Sequence, residues 1–244
     1  MYVFRAVAII KEYSLNLLFP LVCMQCGKEG TLLCNWCRET LAYIPPSCIV
    51  CKKLVLPLVR KRVAGRTCPA CRKKSNIYAF LSPFSYGQPL IRTLIHELKY
   101  RRMRRIGSIL GELLLEYTRY FGVDLPSDVI LIPIPLAPSR GRIRGFNQAE
   151  LIGKALADRL ENKIVFAPRI LVRTRNTKPQ VGLGREARKQ NIGQAFCVIQ
   201  KDMIQKKTVL LLDDVKTTGV TLEEAARVLK EAGAREVWAI TVAH

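Results

Sequence analysis

Two adjacent carboxylates near the carboxyl end of the chain are followed within a few residues by three threonines and a glycine. These residues are Asp213, Asp214, Thr217, Thr218, Gly219 and Thr221. Threonine hydroxyls and backbone N–H groups bind phosphate, and glycine lets the backbone approach a ligand closely. Adjacent carboxylates suit sugar hydroxyls or a hydrated metal, so the set predicts a ribose 5-phosphate site. The alternative is a turn that binds nothing, because acids and threonines are also common in turns.

A buried strand and a helix must position this stretch. The four apolar residues 209–212 predict a strand of a parallel sheet that ends at the acid pair, and helical spacing begins at Leu222. Thr221 and Glu224 fit a capping box, which predicts a helix start at Thr221. The threonines would then lie at the positive end of the helix dipole.

Eight of the nine cysteines form four C-x-x-C pairs. The pairs are Cys23 with Cys26, Cys34 with Cys37, Cys48 with Cys51, and Cys68 with Cys71. This spacing directs two thiolates at one tetrahedral ion, so four pairs predict two structural Zn²⁺ sites. Sequential grouping closes the shorter loops and is preferred, although a cross-braced arrangement also fits. Disulfides are the alternative, but they suit a secreted chain and no secretion signal is recognised.

The ninth cysteine, Cys197, lies in an apolar run and is predicted to be a buried structural thiol.

Basic side chains are concentrated in the first half of the chain. It has 244 residues with 40 Lys and Arg against 19 Asp and Glu, and residues 1–110 carry 19 basic but only 4 acidic side chains. Residues 52–74, around the last cysteine pairs, contain no acid. This segment is predicted to bind the phosphate backbone of single-stranded nucleic acid. Three aromatic residues, Trp36, Tyr43 and Tyr78, are predicted to stack on its bases. The alternative is a solvated cationic face whose aromatic residues fill a small core.

Two further cationic segments adjoin predicted strands. After a strand at 128–135, three arginines within five residues, at 140, 142 and 144, suit a pyrophosphate or a phosphodiester. The alternative is a loop at a helix start whose arginines are solvated, and Asn147 is expected to cap the next helix. Residues 164–172 predict another strand. The long polar segment 173–191 that follows is typical of a lid over a site.

The helical spacing of residues 90–120 is interrupted by a basic break, which predicts two helices. Lys99, just before the break, is interpreted either as a lysine that reaches a phosphate or as a solvated loop residue.

Composition indicates one α/β domain and a small additional module. Hydrophobic residues make up 49% of the chain, which supports a core, and no stretch is long and apolar enough to span a bilayer. We expect an N-terminal helix with a double zinc module over residues 1–75, the α/β domain over residues 76–244, and a cytoplasmic location.

The run from Val209 to Thr221 resembles the phosphoribosyl-pyrophosphate (PRPP) motif of type I phosphoribosyltransferases, which has hydrophobic residues, two acids and T-T-G-x-T. Three further features are similar to the ComF family of late-competence proteins: the cysteine pairs, the segment 86–100, and R-x-R-G-F-N-Q-A at 142–149. A fourth is a spaced pattern whose members are Arg173, Gln180, Leu183, Arg188 and Asn191. The resemblance covers nearly the whole chain.

This resemblance implies an α/β type I phosphoribosyltransferase fold with a central parallel sheet and an N-terminal zinc module. It implies that PRPP with Mg²⁺ binds at the strand ends, with its 5-phosphate on the loop 217–221 and its ribose hydroxyls on Asp213 and Asp214. Pyrophosphate or nucleic-acid contacts would come from Pro135, Leu136, Arg140, Arg144, Asn147 and Lys99. A flexible loop that closes over the site would contain Arg173, Gln180 and Arg188.

The resemblance further implies that the protein handles single-stranded DNA in natural transformation, beside DNA-uptake proteins. Three hypotheses follow. The first is a phosphoribosyltransferase acting on a base, a nucleotide or DNA, and the second is a PRPP-dependent nucleic-acid-binding regulator without catalysis. The third is a zinc adaptor with a vestigial nucleotide site, which the intact acid pair and threonines disfavour.

Overall fold

A computed structural model describes residues 21–56, 63–160, 164–174 and 195–244. The chain divides into two compact units, residues 1–42 and 43–244. The second cysteine group thus belongs to the unit that contains the sheet, and the modular boundary near residue 75 stays a prediction. The helix expected over residues 1–18 lies outside the described residues.

The described part of the first unit is a small cysteine-rich turn structure. Val22 and Glu29 form an antiparallel bridge, and Gly27 adopts a left-handed φ of 75° in the turn between them. Helix α1 (Asn35–Glu39) begins after Cys34, whose sulfur accepts a hydrogen bond from the backbone N–H of Cys37 at 3.5 Å. The local fold therefore brings cysteine sulfurs to the end of a short helix.

The second unit is built on a parallel sheet. Its described strands are β1 (Ala79–Leu81), β2 (Val129–Pro133), β3 (Ile164–Phe166), β4 (Leu171–Arg173), β5 (Phe196–Val198), β6 (Thr208–Val215) and β7 (Glu236–Ala243). Five of them form a sheet in the order β1-β7-β6-β2-β3, with every neighbouring pair parallel. The other two, β4 and β5, form an antiparallel pair. The carboxyl ends of β2 and β6 consequently lie side by side.

Six helices of the described residues belong to this unit, together with a 3₁₀ helix at Pro69–Lys74. They are α2 (Pro89–Tyr100), α3 (Arg105–Tyr120), α4 (Pro138–Arg144), α5 (Gln148–Arg159), α6 (Lys201–Ile204) and α7 (Val220–Glu231). No helix of the described residues is long and apolar enough to cross a membrane.

The apolar run of β6 is explained by its central place. Val209 to Leu212 are at most 1% exposed, because a parallel strand between two neighbours is covered on both faces. Helices α3 and α5 pack closely, since a Cβ on Gly107 would lie 2.9 Å from Leu151 Cβ and one on Gly111 would lie 2.8 Å from Ala155 Cβ. This packing fixes α5, which starts beside the carboxyl end of β2.

Two predicted strands differ from the structure. The segment 164–172 is not one strand, because a turn at residues 168–169 separates β3, which joins the five-stranded sheet, from β4, which pairs with β5. Cys197 is exposed, not buried. The alternation of β5 turns Phe196 and Val198 to the core and the thiol between them outward.

Two predicted helix boundaries also differ. The capping box at Thr221 is wrong, because α7 begins at Val220 with Gly219 as its N-cap in the left-handed region. The three arginines at 140, 142 and 144 lie on helix α4, where Pro138 starts the helix, and not in a loop. The two helices predicted on either side of the basic break, and the Asn147 cap, are confirmed.

Candidate ligand site at the carboxyl edge of the sheet

The acid pair lies at the end of β6, where Asp213 is opposite Thr241 of β7. Asp214 is buried, at 5% exposure, and its backbone N–H donates to Oδ1 of Asp213 at 2.8 Å. The Nζ atom of Lys99 lies 2.7 Å from Oδ2 of Asp214. The structure therefore joins a lysine of α2 to the acid pair across the sheet edge.

The two carboxylates differ in their electrostatic environment. Burial raises the pKa of Asp213 from its ordinary 3.8 to about 7, and the neighbouring charge of Asp214 adds to the rise. The backbone N–H of Asp214 and the charges of Lys99 and Arg140 oppose it. Asp213 is thus a carboxyl group that exchanges a proton near neutral pH, whereas Asp214 is held in an ion pair.

Lys99 is not a solvated loop residue, while its contact with pyrophosphate or nucleic acid stays a prediction. It lies in the last turn of α2 with a side chain only 17% exposed. Burial acts to lower the pKa of Lys99, but the carboxylate of Asp214 outweighs this effect and the pKa is raised. Helical spacing places Lys99 one turn after the buried Ile95, which indicates the packed face of α2 but not the partner Asp214.

The turn after β6 has the geometry of an anion site. The N–H of Lys216 donates to Ala243 O at 2.9 Å, and Gly219 then takes a left-handed φ of 81° before α7 starts. Thr217 is exposed, while Thr218 and Thr221 are half-buried. The positive end of a twelve-residue helix and these hydroxyls therefore meet next to the acid pair.

The end of β2 supplies the neighbouring loop. Ile134 N–H donates to Leu212 O at 2.8 Å, and Pro135 and Leu136 follow half-buried. Asn147 ties the start of α5 to this loop, since its Nδ2 donates to Ile134 O at 3.0 Å and its Oδ1 accepts from Ala149 N–H at 3.1 Å. The loop proposed for pyrophosphate is thus fixed from both sides.

Two arginines from separate elements converge on the acid pair. The charges of Arg140 on α4 and Arg173 on β4 act on each other and on Asp213. Burial and the charge of Arg140 lower the pKa of Arg173 to about 10. Within the described residues, Nη2 of Arg140 is buried without a hydrogen-bond partner. Two crowded cations are typical of a place where an anionic ligand binds.

The remaining lid residues of the prediction, Gln180 and Arg188, lie outside the described residues.

The eight paired cysteines form two groups, in which the ligand atoms all lie within 4.8 Å of one another. The groups are Cys23, Cys26, Cys34 and Cys37, and Cys48, Cys51, Cys68 and Cys71. This grouping agrees with the sequential pairing preferred from the sequence. Burial opposes ionisation of Cys23 and Cys48, but backbone hydrogen bonds lower the pKa of each to about 6. Four sulfur atoms so close together suit a tetrahedral cation such as Zn²⁺.

Comparison with known proteins agrees with this architecture. Residues 147–244 match the phosphoribosyl transferase domain family. The chain is 31% identical over 227 residues to the DNA utilization protein YhgH of Salmonella typhimurium. The alignment covers 85% of this chain and 96% of that protein. The chain belongs to the ComF family.

Two other relatives in the ComF family bear competence names. The chain is 29% identical over 223 residues to competence protein F of Haemophilus influenzae, covering 88% of this chain and 87% of that protein. It is 25% identical over 230 residues to competence protein ComFC of Bacillus subtilis, covering 87% and 90%. The predicted type I phosphoribosyltransferase fold, with its central parallel sheet and two four-cysteine groups, is confirmed.

The segment that follows the second cysteine group of this ComF-family chain contacts α7, the helix after the turn 217–221. Glu223, in the first turn of α7, accepts hydrogen bonds from Ser75 Oγ at 2.5 Å and from Asn76 N–H at 3.0 Å. Ser75 directly follows the 3₁₀ helix that carries Cys71. Sequence reasoning missed this link, because Glu223 lies 148 residues from Ser75 in the chain.

Two lysines that are distant in the chain, Lys52 next to the second cysteine group and Lys216 just after β6, act on His244. Burial lowers the pKa of His244, and the charges of Lys216 and Lys52 lower it further. Lys52 follows Cys51, so a charge next to the second cysteine group acts on the residue that follows β7. The ring of His244 is also held, since its Nδ1 lies 2.9 Å from Ser82 Oγ.

Two of the three aromatic residues considered for base stacking are packed within the protein. Tyr43 contacts the rings of Phe84, Tyr117 and Tyr120. Tyr78 is stacked on Trp238 at 5.9 Å and has the guanidinium of Arg66 over its ring at 5.0 Å. Trp36, in contrast, is 67% exposed. The alternative reading, in which aromatic residues serve a core, therefore applies to Tyr43 and Tyr78.

Proposed function

We propose that this protein binds PRPP with Mg²⁺ at the carboxyl edge of the five-stranded sheet, binds single-stranded DNA, and acts in DNA uptake during natural competence. The observation that carries the PRPP proposal is a convergence of groups. An anion-binding turn, an acid pair and two arginines from separate elements meet at the adjoining ends of β2 and β6.

Each part of PRPP finds groups of suitable chemistry. The turn 217–221 offers hydroxyls and the start of α7 to the 5-phosphate. Asp213 and Asp214 accept hydrogen bonds from the ribose hydroxyls. Arg140 and Arg173 offer guanidinium groups to the pyrophosphate, which arginine binds in a bidentate manner.

Carboxylates at the end of β6 suit Mg²⁺, and the two cysteine groups suit Zn²⁺. Mg²⁺ is usually held by one or two carboxylates together with substrate phosphates. Asp214 is already paired with Lys99, so Asp213 and the pyrophosphate oxygens would hold the ion, which would neutralise charge on the leaving group. Zn²⁺ would be structural, because each cysteine group supplies all four ligands and leaves no open position.

The chain's own residues also suit transfer chemistry. Loss of pyrophosphate from the anomeric carbon leaves positive charge on the ribose ring, which the neighbouring carboxylates stabilise. Arg140 and Arg173 stabilise the negative charge that develops on pyrophosphate. The same groups would hold PRPP in a regulator that does not cleave it, so turnover must be measured separately from binding.

The DNA part of the proposal is supported by the relatives and by charge. The relatives are named for DNA utilization and competence. The formal net charge of +21 favours polyanion binding. DNA-uptake proteins are the proposed partners, and the cytoplasm is the proposed location.

The test is a calorimetric titration of PRPP with Mg²⁺ into the wild type and an Asp213→Asn/Asp214→Asn variant, repeated with a single-stranded oligonucleotide. We expect binding to the wild type and its loss in the variant. An Asp124→Asn/Asp202→Asn variant makes the same charge change at exposed sites and should bind like the wild type. Failure of the wild type to bind PRPP in either condition would contradict the proposal and leave a zinc-dependent DNA adaptor.

Release of pyrophosphate separates the two functions that PRPP binding allows. A transferase releases pyrophosphate when an acceptor such as a nucleobase or single-stranded DNA is added. A regulator binds PRPP in the same titration but releases none.

A further inference from the structure

An arginine-rich surface with an exposed tyrosine, Tyr100, lies where α2 meets α3. It consists of residues 100–105 and 142–146, here named the junction surface. The first segment is Tyr-Arg-Arg-Met-Arg-Arg, and the second is Arg-Ile-Arg-Gly-Phe. Six arginines are thus contributed by eleven residues from two segments that are about forty positions apart in the chain.

Hydrogen bonds from the first segment hold the second. Arg102 Nη2 donates to Ile143 O at 2.8 Å, and Arg104 Nη2 donates to Gly145 O at 3.4 Å. These carbonyl groups lie at the C-terminal end of α4, where a helix leaves acceptors unpaired. The guanidinium of Arg104 also lies 5.1 Å over the ring of Phe146. The two segments therefore form one surface.

The backbone of the junction is held in an uncommon conformation. Arg102 has a φ of 57°, in the left-handed region that costs a non-glycine residue free energy. The hydrogen bond from its own side chain to Ile143 accompanies this conformation. The position of the cationic groups is consequently fixed before a ligand arrives.

Tyr100 gives this surface a stacking platform. Its side chain is 62% exposed although its ring has two partners. The ring of His96 lies at 4.8 Å, and the guanidinium of Arg144 lies at 5.4 Å over the ring. An exposed aromatic ring among arginines is the arrangement that binds unpaired bases and their backbone together.

Acidic groups oppose this surface only weakly. The sequence of residues 96–105 and 138–148 contains one acid, Glu97. Glu97 Oε1 lies 3.5 Å from His96 Nδ1 and 4.0 Å from Arg101 Nε. The excess of positive charge in both segments therefore remains large.

The junction surface is continuous with the site of the acid pair. Tyr100 directly follows Lys99, which contacts Asp214. The charge of Arg144, which lies over Tyr100, also acts on Lys99. Arg140, one turn earlier on α4, acts on Asp213.

We infer that the junction surface binds single-stranded DNA, stacks a base on Tyr100, and leads the strand to the acid pair. The inference rests on the proposed function, whose DNA partner it locates. It assigns DNA binding to the ends of α2 and α4 and the start of α3 in the sheet unit. The cationic cysteine-rich segment 52–74 would add charge but no stacking ring, since it contains no aromatic residue and the nearby Tyr78 is packed against Trp238.

The experiment is fluorescence anisotropy of a labelled single-stranded oligo-dT titrated with the full-length wild type and three tyrosine variants. Tyr100→Ala should weaken binding at least about fivefold, the lower end of what one stacked base contributes, whereas Tyr100→Phe should bind like the wild type. Tyr120→Ala is the matched control, because Tyr120 ends α3 and is 72% exposed. It should leave DNA affinity unchanged.

The outcomes distinguish this inference from the proposed function. Binding of Tyr100→Ala like the wild type, with a loss instead in Lys73→Ala/Lys74→Ala, would overturn the junction surface and keep DNA binding. Failure of the wild type to bind oligo-dT would overturn both, while PRPP binding by calorimetry would still stand. Equal losses in Tyr100→Ala and Tyr120→Ala would also overturn it, because the effect would not be specific to the junction.

Discussion

Lys99 Nζ and Asp214 Oδ2 lie 2.7 Å apart, in an ion pair that joins the last turn of α2 to the end of β6. Both side chains are largely buried, so the pair is shielded from salt and solvent. It holds the carboxylate of Asp214 to a helix, while burial raises the pKa of the neighbouring Asp213 to about 7. Helix α2 thereby becomes part of the candidate site.

Replacement of Lys99 by methionine should destabilise the protein, because it leaves the carboxylate of Asp214 buried without its cation. Breaking a buried pair in this way typically costs about 3–5 kcal/mol. Urea unfolding measures the loss. The Lys99→Met/Asp214→Asn double variant should recover most of it, since no buried charge then remains. If the double variant were as unstable as the single one, packing of the lysine stem and not the ion pair would be responsible.

Asp213 should make stability depend on pH between its ordinary pKa of 3.8 and its raised pKa of about 7. In this range the folded protein keeps a proton that the unfolded chain has lost, so the free energy of unfolding falls as pH rises. The slope is at most about 1.4 kcal/mol per pH unit and vanishes above the raised pKa.

The measurement compares urea unfolding of the wild type and Asp213→Asn at about pH 5 and about pH 8. The variant should gain stability relative to the wild type at the higher pH, because it carries no charge to bury. Asp202→Asn, at an exposed position, controls for the change in net charge. A constant difference between wild type and variant at the two pH values would show that Asp213 does not titrate in this range.

Local patterns in the sequence predicted the parts of the site that are local in the chain. The apolar run of β6, the acids at its end and the turn at Gly219 follow one another within a few residues, and strand periodicity and turn chemistry identify them. The C-x-x-C spacing likewise predicted both cysteine groups, because each pair already lies on one turn.

Contacts between distant segments were not predictable in this way. Lys99 meets Asp214 only because α2 packs against the carboxyl edge of the sheet, which no residue spacing records. Thr221 and Glu224 fitted a capping box by pattern, yet Gly219 caps α7, and Glu223 in its first turn bonds to the distant Ser75 and Asn76. Tertiary contacts, which local sequence patterns do not record, place Lys99 beside Asp214 and Glu223 beside Ser75.

Gly219→Ala should weaken PRPP binding. The φ of 81° disfavours a side chain by about 1–2 kcal/mol, and a Cβ there would lie 3.1 Å from Lys216 Cε. The turn must shift to relieve this, and its N–H groups would then no longer point at one phosphate. We expect at least about a tenfold loss of affinity by calorimetry, equivalent to about 1.4 kcal/mol.

Gly122→Ala is the control for this substitution. Gly122 has a left-handed φ of 55° with nothing within 4 Å of a Cβ, so it shares the backbone strain at a position beyond the end of α3. Its PRPP affinity should equal that of the wild type despite a similar loss of stability. Equal affinity losses in the two variants would argue against a phosphate site at Gly219.

Removal of one ligand from each cysteine group should have different consequences for PRPP binding. Cys26 and Cys51 are matched, since each is the exposed second cysteine of the first pair in its group. Cys26→Ser and Cys51→Ser should each reduce the zinc content, measured by atomic emission, from about two to about one per chain.

Only Cys51→Ser should also weaken PRPP binding, because the second group orders the segment that bonds to Glu223 at the start of α7. The charges of Lys52, which follows Cys51, and of Lys216 both act on His244. Calorimetry with both variants tests this expectation. Unchanged PRPP affinity in a Cys51→Ser protein that has lost one zinc would show that the sheet and α7 hold the turn 217–221 without the second cysteine group.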